Sequence, residues 1–238
     1  MPGISGFQHR LYEKELMDDP DIPAVEMHGT LGELEFINRW LGGYQTSYAG
    51  IRKLLPPEGG KLTLLDIGTG AGDVPRHLWS RFHKKELEFN AHAIDLNPHA
   101  IDYAKQHQYP VGGVTYEVQD IFSLPHDRLY DIVHSALFLH HFTDNEILQL
   151  VGKMLSLSRR GVIINDLHRH PIAYYSILLL SRILSRSRLI RHDAPLSVLR
   201  AFRRSDLEKI MQRLQITRYE IHWLWAFRWQ VVIYKDDE

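Results

Sequence analysis

The 238-residue chain contains no cysteine. That excludes disulfides and thiolate nucleophiles and removes the most diagnostic zinc ligand. It also lacks any excess of charge: 28 Lys and Arg stand against 29 Asp and Glu, a formal net of −1. So balanced a chain offers no bulk electrostatic attraction to nucleic acid. Long apolar runs are missing too. The stretch MPGISGFQHRLYEKELMDDPDIP has no apolar core of signal-peptide length. The greasiest segment, PIAYYSILLLSRIL at 171–184, is interrupted by Ser176, Ser181 and Arg182. It falls short of the roughly 20 apolar residues that a membrane span needs. These absences predict a soluble, cytoplasmic protein with no nucleic-acid partner. No repeats and no low-complexity linker divide the chain, so a single domain over 1–238 is expected.

What is present is an alternation. Residues 30–55 read as helical pieces broken at Gly42-Gly43, and Pro56-Pro57 and Gly59-Gly60 close that part. From residue 61, KLTLLDIG reads as a buried strand and GDVPRHLWSRFHKK as a helix with Pro75 in its first turn. LEFNAHAIDL is a second strand. NPHAIDYAKQH is a helix with Asn97 as N-cap and Pro98 at the first helical position. VTYEVQDI, YDIVHSALF and GVIINDLH add three strands, with the helix DNEILQLVGKMLSL before the last of them. A helical section covers 171–214, opening its final helix with a capping box of Ser205 and Glu208. TRYEIHWLWAFRWQVVIYK closes as a two-stranded hairpin whose tryptophans read as core residues. Strands alternating with helices mean an α/β fold with a mostly parallel sheet covered on both faces. Ligands in such sheets bind beyond the carboxyl ends of the strands.

The first of those ends is LTLLDIGTGAGDVPRHL, where Gly68, Gly70 and Gly72 alternate between a strand and a helix. The dinucleotide fingerprint wants a glycine where this loop has Asp73, and a phosphate loop wants a lysine that is absent. An acid at the helix start repels a pyrophosphate placed there. Asp66 and Asp73 around the glycines suit a cationic ligand instead, and Asp73 disfavours an NAD(P) oxidoreductase. Asp95, ending the second strand, can accept both hydroxyls of a ribose. Asp120, ending the third, can accept from the amine of an adenine. Ribose, adenine and a cationic end without phosphate describe S-adenosylmethionine (SAM).

LLDIGTGAG, AIDLNPHAIDYAK, YEVQDIFSLP and YDIVHSALFLHHFTD follow in that order, and together they resemble the class I SAM-dependent methyltransferases. The likeness is greatest to the small-molecule branch of ubiquinone/menaquinone-biosynthesis type, and it covers about residues 60–170. It implies a Rossmann-like seven-stranded sheet whose final hairpin makes one strand antiparallel. It implies that Gly68 and Gly70, with Asp66, Thr69 and Asp73 around them, hold the methionyl end of SAM. Asp95 and Leu96 would hold the ribose, Asp120 the adenine, Ile121 and Phe122 the adenine face, with Leu137 closing the cofactor site.

Methyl transfer to a phenol, whose pKa is near 10, is helped by a base. His140 and His141 follow the fourth strand, and "His141-Phe142-Thr143-Asp144" matches the turn that carries a histidine in related O-methyltransferases. The resemblance therefore makes His141 the first choice as base, with His140 and His168 as alternatives. Asp166 and His168 end the fifth strand and would line the same pocket. Fifteen histidines are many, yet no ligand spacing with a metal signature is evident, and no metal is expected. Residues 159–204 hold ten Arg and no Lys against two Asp, a local balance of +8. The expected organisation is a helical lid over 1–58, a SAM-binding core over 60–170, a helical insertion over 171–204, and a final helix and hairpin over 205–238. Tyr44 and Tyr48 in the lid and Arg200 in the insertion are candidates to touch substrate. The insertion could also cover an acidic or lipophilic acceptor, or touch a membrane surface weakly. The expected activity is O-methylation of a phenolic, quinol or polyketide-type small molecule. Carbon or nitrogen methylation, and SAM binding without catalysis, are the alternatives.

Overall fold

The computed structural model describes residues 4–56, 60–108, 112–125 and 127–235; Pro57 and Gly59, expected to close the N-terminal part, lie outside them. Two helices come first, α1 (Ala24–Trp40) and α2 (Gly43–Lys53). Gly42 breaks them apart at φ +74°, where an added Cβ would lie 2.4 Å from the carbonyl oxygen of Trp225. The alternating section follows as β1 (Lys61–Ile67), α3 (Asp73–His83), β2 (Glu88–Asp95), α4 (Pro98–Gln106), β3 (Val114–Val118), β4 (Tyr130–Ala136), α5 (Asp144–Leu157) and β5 (Ser158–Leu167). Asn97 caps α4 by accepting from the His99 N–H, with Pro98 next to it. The 171–214 section divides into α6 (Pro171–Leu184), α7 (Arg188–Arg200) and α8 (Arg204–Arg213), and β6 (Tyr219–Leu224) and β7 (Arg228–Tyr234) make the closing hairpin.

All seven strands form one sheet in the order β3-β2-β1-β4-β5-β7-β6. β1 to β5 are parallel, while β7 runs antiparallel to both β5 and β6. Strand order reverses between β1 and β4, so the ends of β1, β2 and β4 open onto one crevice. Alternate residues of each strand feed two cores. Val162 and Ile164 of β5 join the core under α5 and α8, whereas Ile163 between them joins the core under α2 and α3.

Two local expectations are corrected. Ser205 and Glu208 do not cap α8. The helix starts at Arg204, and Asp206 takes the cap by accepting from the Arg203 N–H at 2.8 Å and from Arg169 at 2.9 Å. The buried Arg169 guanidinium recruits that carboxylate, and Glu208 pairs with Arg204 instead. The hairpin tryptophans are not all core. Trp229 is buried, but Trp223 and Trp225 are exposed, because β6 is an edge strand and Trp225 sits in the turn after it.

Candidate functional site

The glycine loop sits where β1 meets α3, and each of its glycines has a positive φ: +62° at Gly68, +52° at Gly70 and +67° at Gly72. A side chain at Gly68 would enter the ring of Phe138 at 2.1 Å, and one at Gly72 would meet Tyr116 at 2.5 Å. Those two let neighbouring chains approach closely. At Gly70 the nearest atom to an added Cβ is Leu31 Cδ2, at 4.0 Å, so only there does the loop keep an open side.

Asp95 ends β2 beside this loop. One carboxylate oxygen accepts from the Gly70 N–H and the other from the Asn97 N–H, each at 2.9 Å. Burial raises its pKa, against the pull of those two donors. Each oxygen retains a second lone pair, and the orientation of the group is fixed. Asp120 caps the short turn Ile121–Ser123 by accepting from the Phe122 N–H at 2.9 Å, and its side chain is exposed. Ile121 is buried in the core. Leu96, Val118 and Phe122 are exposed apolar residues at the ends of the adjacent strands β2 and β3. Two acids and three solvent-facing apolar side chains on neighbouring strand ends suit a nucleoside, with hydroxyls and amine to the acids and a ring to the apolar face.

Asp66 and Asp73 have a different environment, which the sequence did not disclose. Thr69 Oγ1 donates to Asp66 at 2.6 Å, and His134 Nδ1–H donates to its other oxygen at 2.5 Å. His134 Nε2 accepts from Ser47 Oγ at 2.8 Å, and Ser47 Oγ accepts from Asn165 Nδ2 at 2.9 Å. Arg228 donates to Asn165 Oδ1 at 3.2 Å and to Asn38 Oδ1 at 3.0 Å, and Asn38 Nδ2 donates to Asp73 at 2.9 Å. The two acids flanking the glycines are thus the ends of one buried chain of hydrogen bonds passing beneath the loop. Asp73 also accepts from Tyr44, whose pKa is driven up by burial and by the Asp73 charge. Burial raises the pKa of Asp73 as well. The Asp73 carboxylate is thus engaged by Asn38 and Tyr44.

The histidine pair lies in the short turn Leu139–His141 after β4, two residues beyond the Phe138 that packs on Gly68. His140 is 2% exposed. Its Nδ1–H donates to Asp166 at 2.7 Å, and its Nε2 lies 3.6 Å from Glu15 with no hydrogen-bond partner. Burial would lower the His140 pKa, but the Asp166 and Glu15 carboxylates overcome it and raise it to about 9. Burial pushes Asp166 and Glu15 up, and the histidines hold both below their ordinary values. His141 Nδ1 is 3.0 Å from Asp18, and its Nε2 is 3.8 Å from Glu15. Leu137, before this turn, has φ +52° and donates its N–H to Asn165 O at 2.8 Å.

Glu15 and Asp18 come from the N-terminal segment, which is fastened over this turn. Arg10 donates to the carbonyls of His140, Phe142 and Arg200 and pairs with Asp144 at 2.6 Å. Asp193 accepts from the Leu16 and Met17 N–H groups. Glu15, His140 and His141 bring ligand atoms within 4.8 Å of one another, a spacing that could hold a metal ion. No sequence signal joined Glu15 to the histidines, and the sequence reading expected no metal. The Arg200 guanidinium, 4.0 Å from Glu15, already supplies a positive charge there.

Three other candidates are placed away from an open pocket. Arg200 is buried, and its guanidinium clamps the carbonyls of His140, His141 and Glu13. Tyr48 is buried against Phe82, with Arg81 over its ring at 5.0 Å, inside the α2–α3 core. His168 accepts from Trp223 Nε1 at 3.1 Å and packs on Trp229 and His170, with no bond to the histidine pair. Burial and the neighbouring His170 and arginines lower its pKa to about 4. Tyr44 stacks on His77 at 4.5 Å and belongs to the network beneath the loop.

Residues 64–161 match the family model described as a methyltransferase domain. The plantazolicin methyltransferase BpumL, solved with S-adenosylhomocysteine (SAH), is similar in fold at 17% identity and a TM-score of 0.66, covering 93% of this chain and 92% of that one. Human N-acetylserotonin methyltransferase with bound SAM is similar at 16% identity and a TM-score of 0.63, covering 90% of this chain and 57% of the other. The magnesium protoporphyrin IX methyltransferase of Synechocystis PCC 6803 with SAH is similar at 18% identity and a TM-score of 0.50, covering 89% and 84%. No curated protein matches the sequence. With the glycine loop, the ordered acids and the strand order all in place, the chain has the seven-stranded fold of these methyltransferase structures, and residues 64–161 resemble a methyltransferase domain.

Proposed function

We propose that the chain methylates an oxygen of a small aromatic acceptor, of phenolic, quinol or polyketide type, and that His140 takes the proton. The observation that carries this reading is the buried His140–Asp166 pair, whose Nε2 has no partner. When bound, SAM supplies a methyl group on a cationic sulfur and departs as a neutral thioether, so no acid is needed for the leaving group. Gly68 and Gly70 would receive its methionyl end at the open side of the loop, Asp95 its ribose, and Asp120 with Phe122 its adenine.

The base is assigned to His140 rather than His141 because its anchor is part of the sheet. Asp166 lies on β5, whereas the partner of His141 is Asp18 of the N-terminal segment. Asp166 fixes the tautomer, leaving the Nε2 lone pair free to accept when the ring is neutral. With Glu15 against it, the ring is held as imidazolium. An acceptor hydroxyl that displaces Glu15 from Nε2 removes one of the two stabilising carboxylates and lowers the pKa toward a working value. Positioning the hydroxyl in line with the methyl group supplies much of the remaining acceleration.

The test is SAH release over a panel of simple phenols and quinols, with titration of SAM by calorimetry. His140→Ala is expected to lower kcat by about 10²–10⁴ and to leave SAM affinity unchanged. Undiminished turnover would overturn the base assignment. Transfer only to carbon or nitrogen acceptors would overturn the oxygen reading.

A further inference from the structure

α6 is apolar around most of its circumference, yet only one side of it is packed. Ala173 and Tyr174 face inward onto Phe7, Val198 and Leu199. Ile172, Leu179, Ile183 and Leu184 face water, with Ile183 67% exposed. Residues 172, 176, 179 and 183 follow the three- and four-residue spacing of a single helix face. A helix apolar all round is normally enclosed, and this one is not.

The exposed face continues past the helix. His170 caps α6 and stacks on Phe227 at 5.3 Å. The turn holding Trp225, Ala226 and Phe227 is bonded to Leu41, next to Trp40 at the end of α1. Trp40 and Trp225 are both about two-thirds exposed, at 67% and 68%. This corner stands beside the carboxyl end of β5, where Leu167 pairs with Arg228. The surface thus borders the edge of the sheet that carries the His140–Asp166 pair.

Charge names the occupant. α6 contains no Asp or Glu. Arg182 on the helix, Arg186 after it and Arg39 beside Trp40 are exposed, and among the described residues no carboxylate forms an ion pair with their guanidiniums, Glu33 accepting only from the Arg186 backbone N–H. Aliphatic residues, interfacial tryptophans and unpaired arginines match the boundary of an anionic bilayer, where the rings and aliphatics enter the headgroup region and the guanidiniums meet phosphates. A second copy of the chain answers less well, because a two-fold contact through this face sets arginines against arginines with no acid between them. Among the described residues no helix is long and apolar enough to cross a membrane, and the contact argued for is peripheral. We propose that the outer face of α6 and the Trp40–Trp225 corner dock on anionic lipid bilayers and hold the site at the lipid surface. The inference is independent of which acceptor atom is methylated.

The experiment is co-sedimentation of the full chain with phosphatidylcholine vesicles, with and without phosphatidylglycerol, alongside tryptophan emission. Expected are binding to the anionic vesicles and a blue-shifted emission on binding. The pair Arg182→Gln and Arg186→Gln should weaken anionic binding by about 30-fold, the share of two surface arginines. The pair Leu179→Glu and Ile183→Glu should abolish it while leaving SAM affinity and Tm as in the wild type. Wild-type protein that ignores anionic vesicles would overturn the proposal, as would equal binding by the Glu variants. So would a dimer in sedimentation velocity that the Glu variants break without any vesicle binding.

Discussion

The two ring nitrogens of His140 face different carboxylates, one fixed on the sheet and one on the N-terminal segment, and this makes its titration informative. Its pKa is raised to about 9 from an ordinary 6.5. As a base it must first be neutral, so kcat/KM is expected to rise with pH up to the region of that value, and Glu15→Gln should move this limb to lower pH. A pH–rate profile of both proteins checks the sign. The same shift bears on folding. A raised histidine pKa contributes stability that is complete below about 6.5 and is lost as pH rises through about 9. Tm should therefore fall across that window in the wild type and fall less in His140→Ala. At the cofactor, Asp95 holds the Gly70 and Asn97 N–H groups in place. Asp95→Ala is expected to weaken SAM binding by about 10- to 100-fold in calorimetry, the scale of lost hydrogen bonds to a charged group.

Among the elements, the alternating strands and helices were legible because each strand is a short apolar run and the helices between them keep an amphipathic spacing. Asn97-Pro98 before α4 is read within four residues, whereas the Thr143 cap of α5 comes from the structure. The glycine loop was legible for the same reason, since three positive φ values require glycine locally. The neighbours of the histidines were not. Glu15 and Asp18 reach His140 and His141 across more than 120 residues, and no periodicity encodes that distance. Arg200 shows the limit of composition as a guide. It stood out as one of ten arginines, but its donors close the carbonyls of the histidine turn. Arg200→Met should remove the Arg200 donor from the Glu13 and His141 carbonyls and the neighbouring cation from Glu15. Loss of about 2–4 kcal/mol in urea unfolding is expected, together with faster proteolysis of the N-terminal segment.

For the molecule as a whole, the sheet order and the site at its carboxyl edge make ligand linkage the simplest global test. A ligand that binds only the folded state at about 100 times its Kd adds about 2.7 kcal/mol. SAM and SAH should both raise Tm accordingly, and NADH should not. Arg228 gives a second test at this scale. It is 2% exposed, and burial lowers its pKa to about 10. Arg228→Met should cost about 3–5 kcal/mol, because Asn38, Asn165 and the Leu41 carbonyl lose their shared donor.

Arg228 also sets an order of assembly. It opens the final strand of the sheet, 190 residues after Asn38. On a growing chain, the glycine loop, Ser47 and Asn165 are all present long before the guanidinium that joins Asn38 to Asn165 emerges. Five parallel strands can pair by then, but the polar groups beneath the loop stay hydrated until the closing hairpin docks on β5. Closure of the network beneath the glycine loop is thus tied to the docking of the closing hairpin, which brings the guanidinium that joins Asn38 to Asn165.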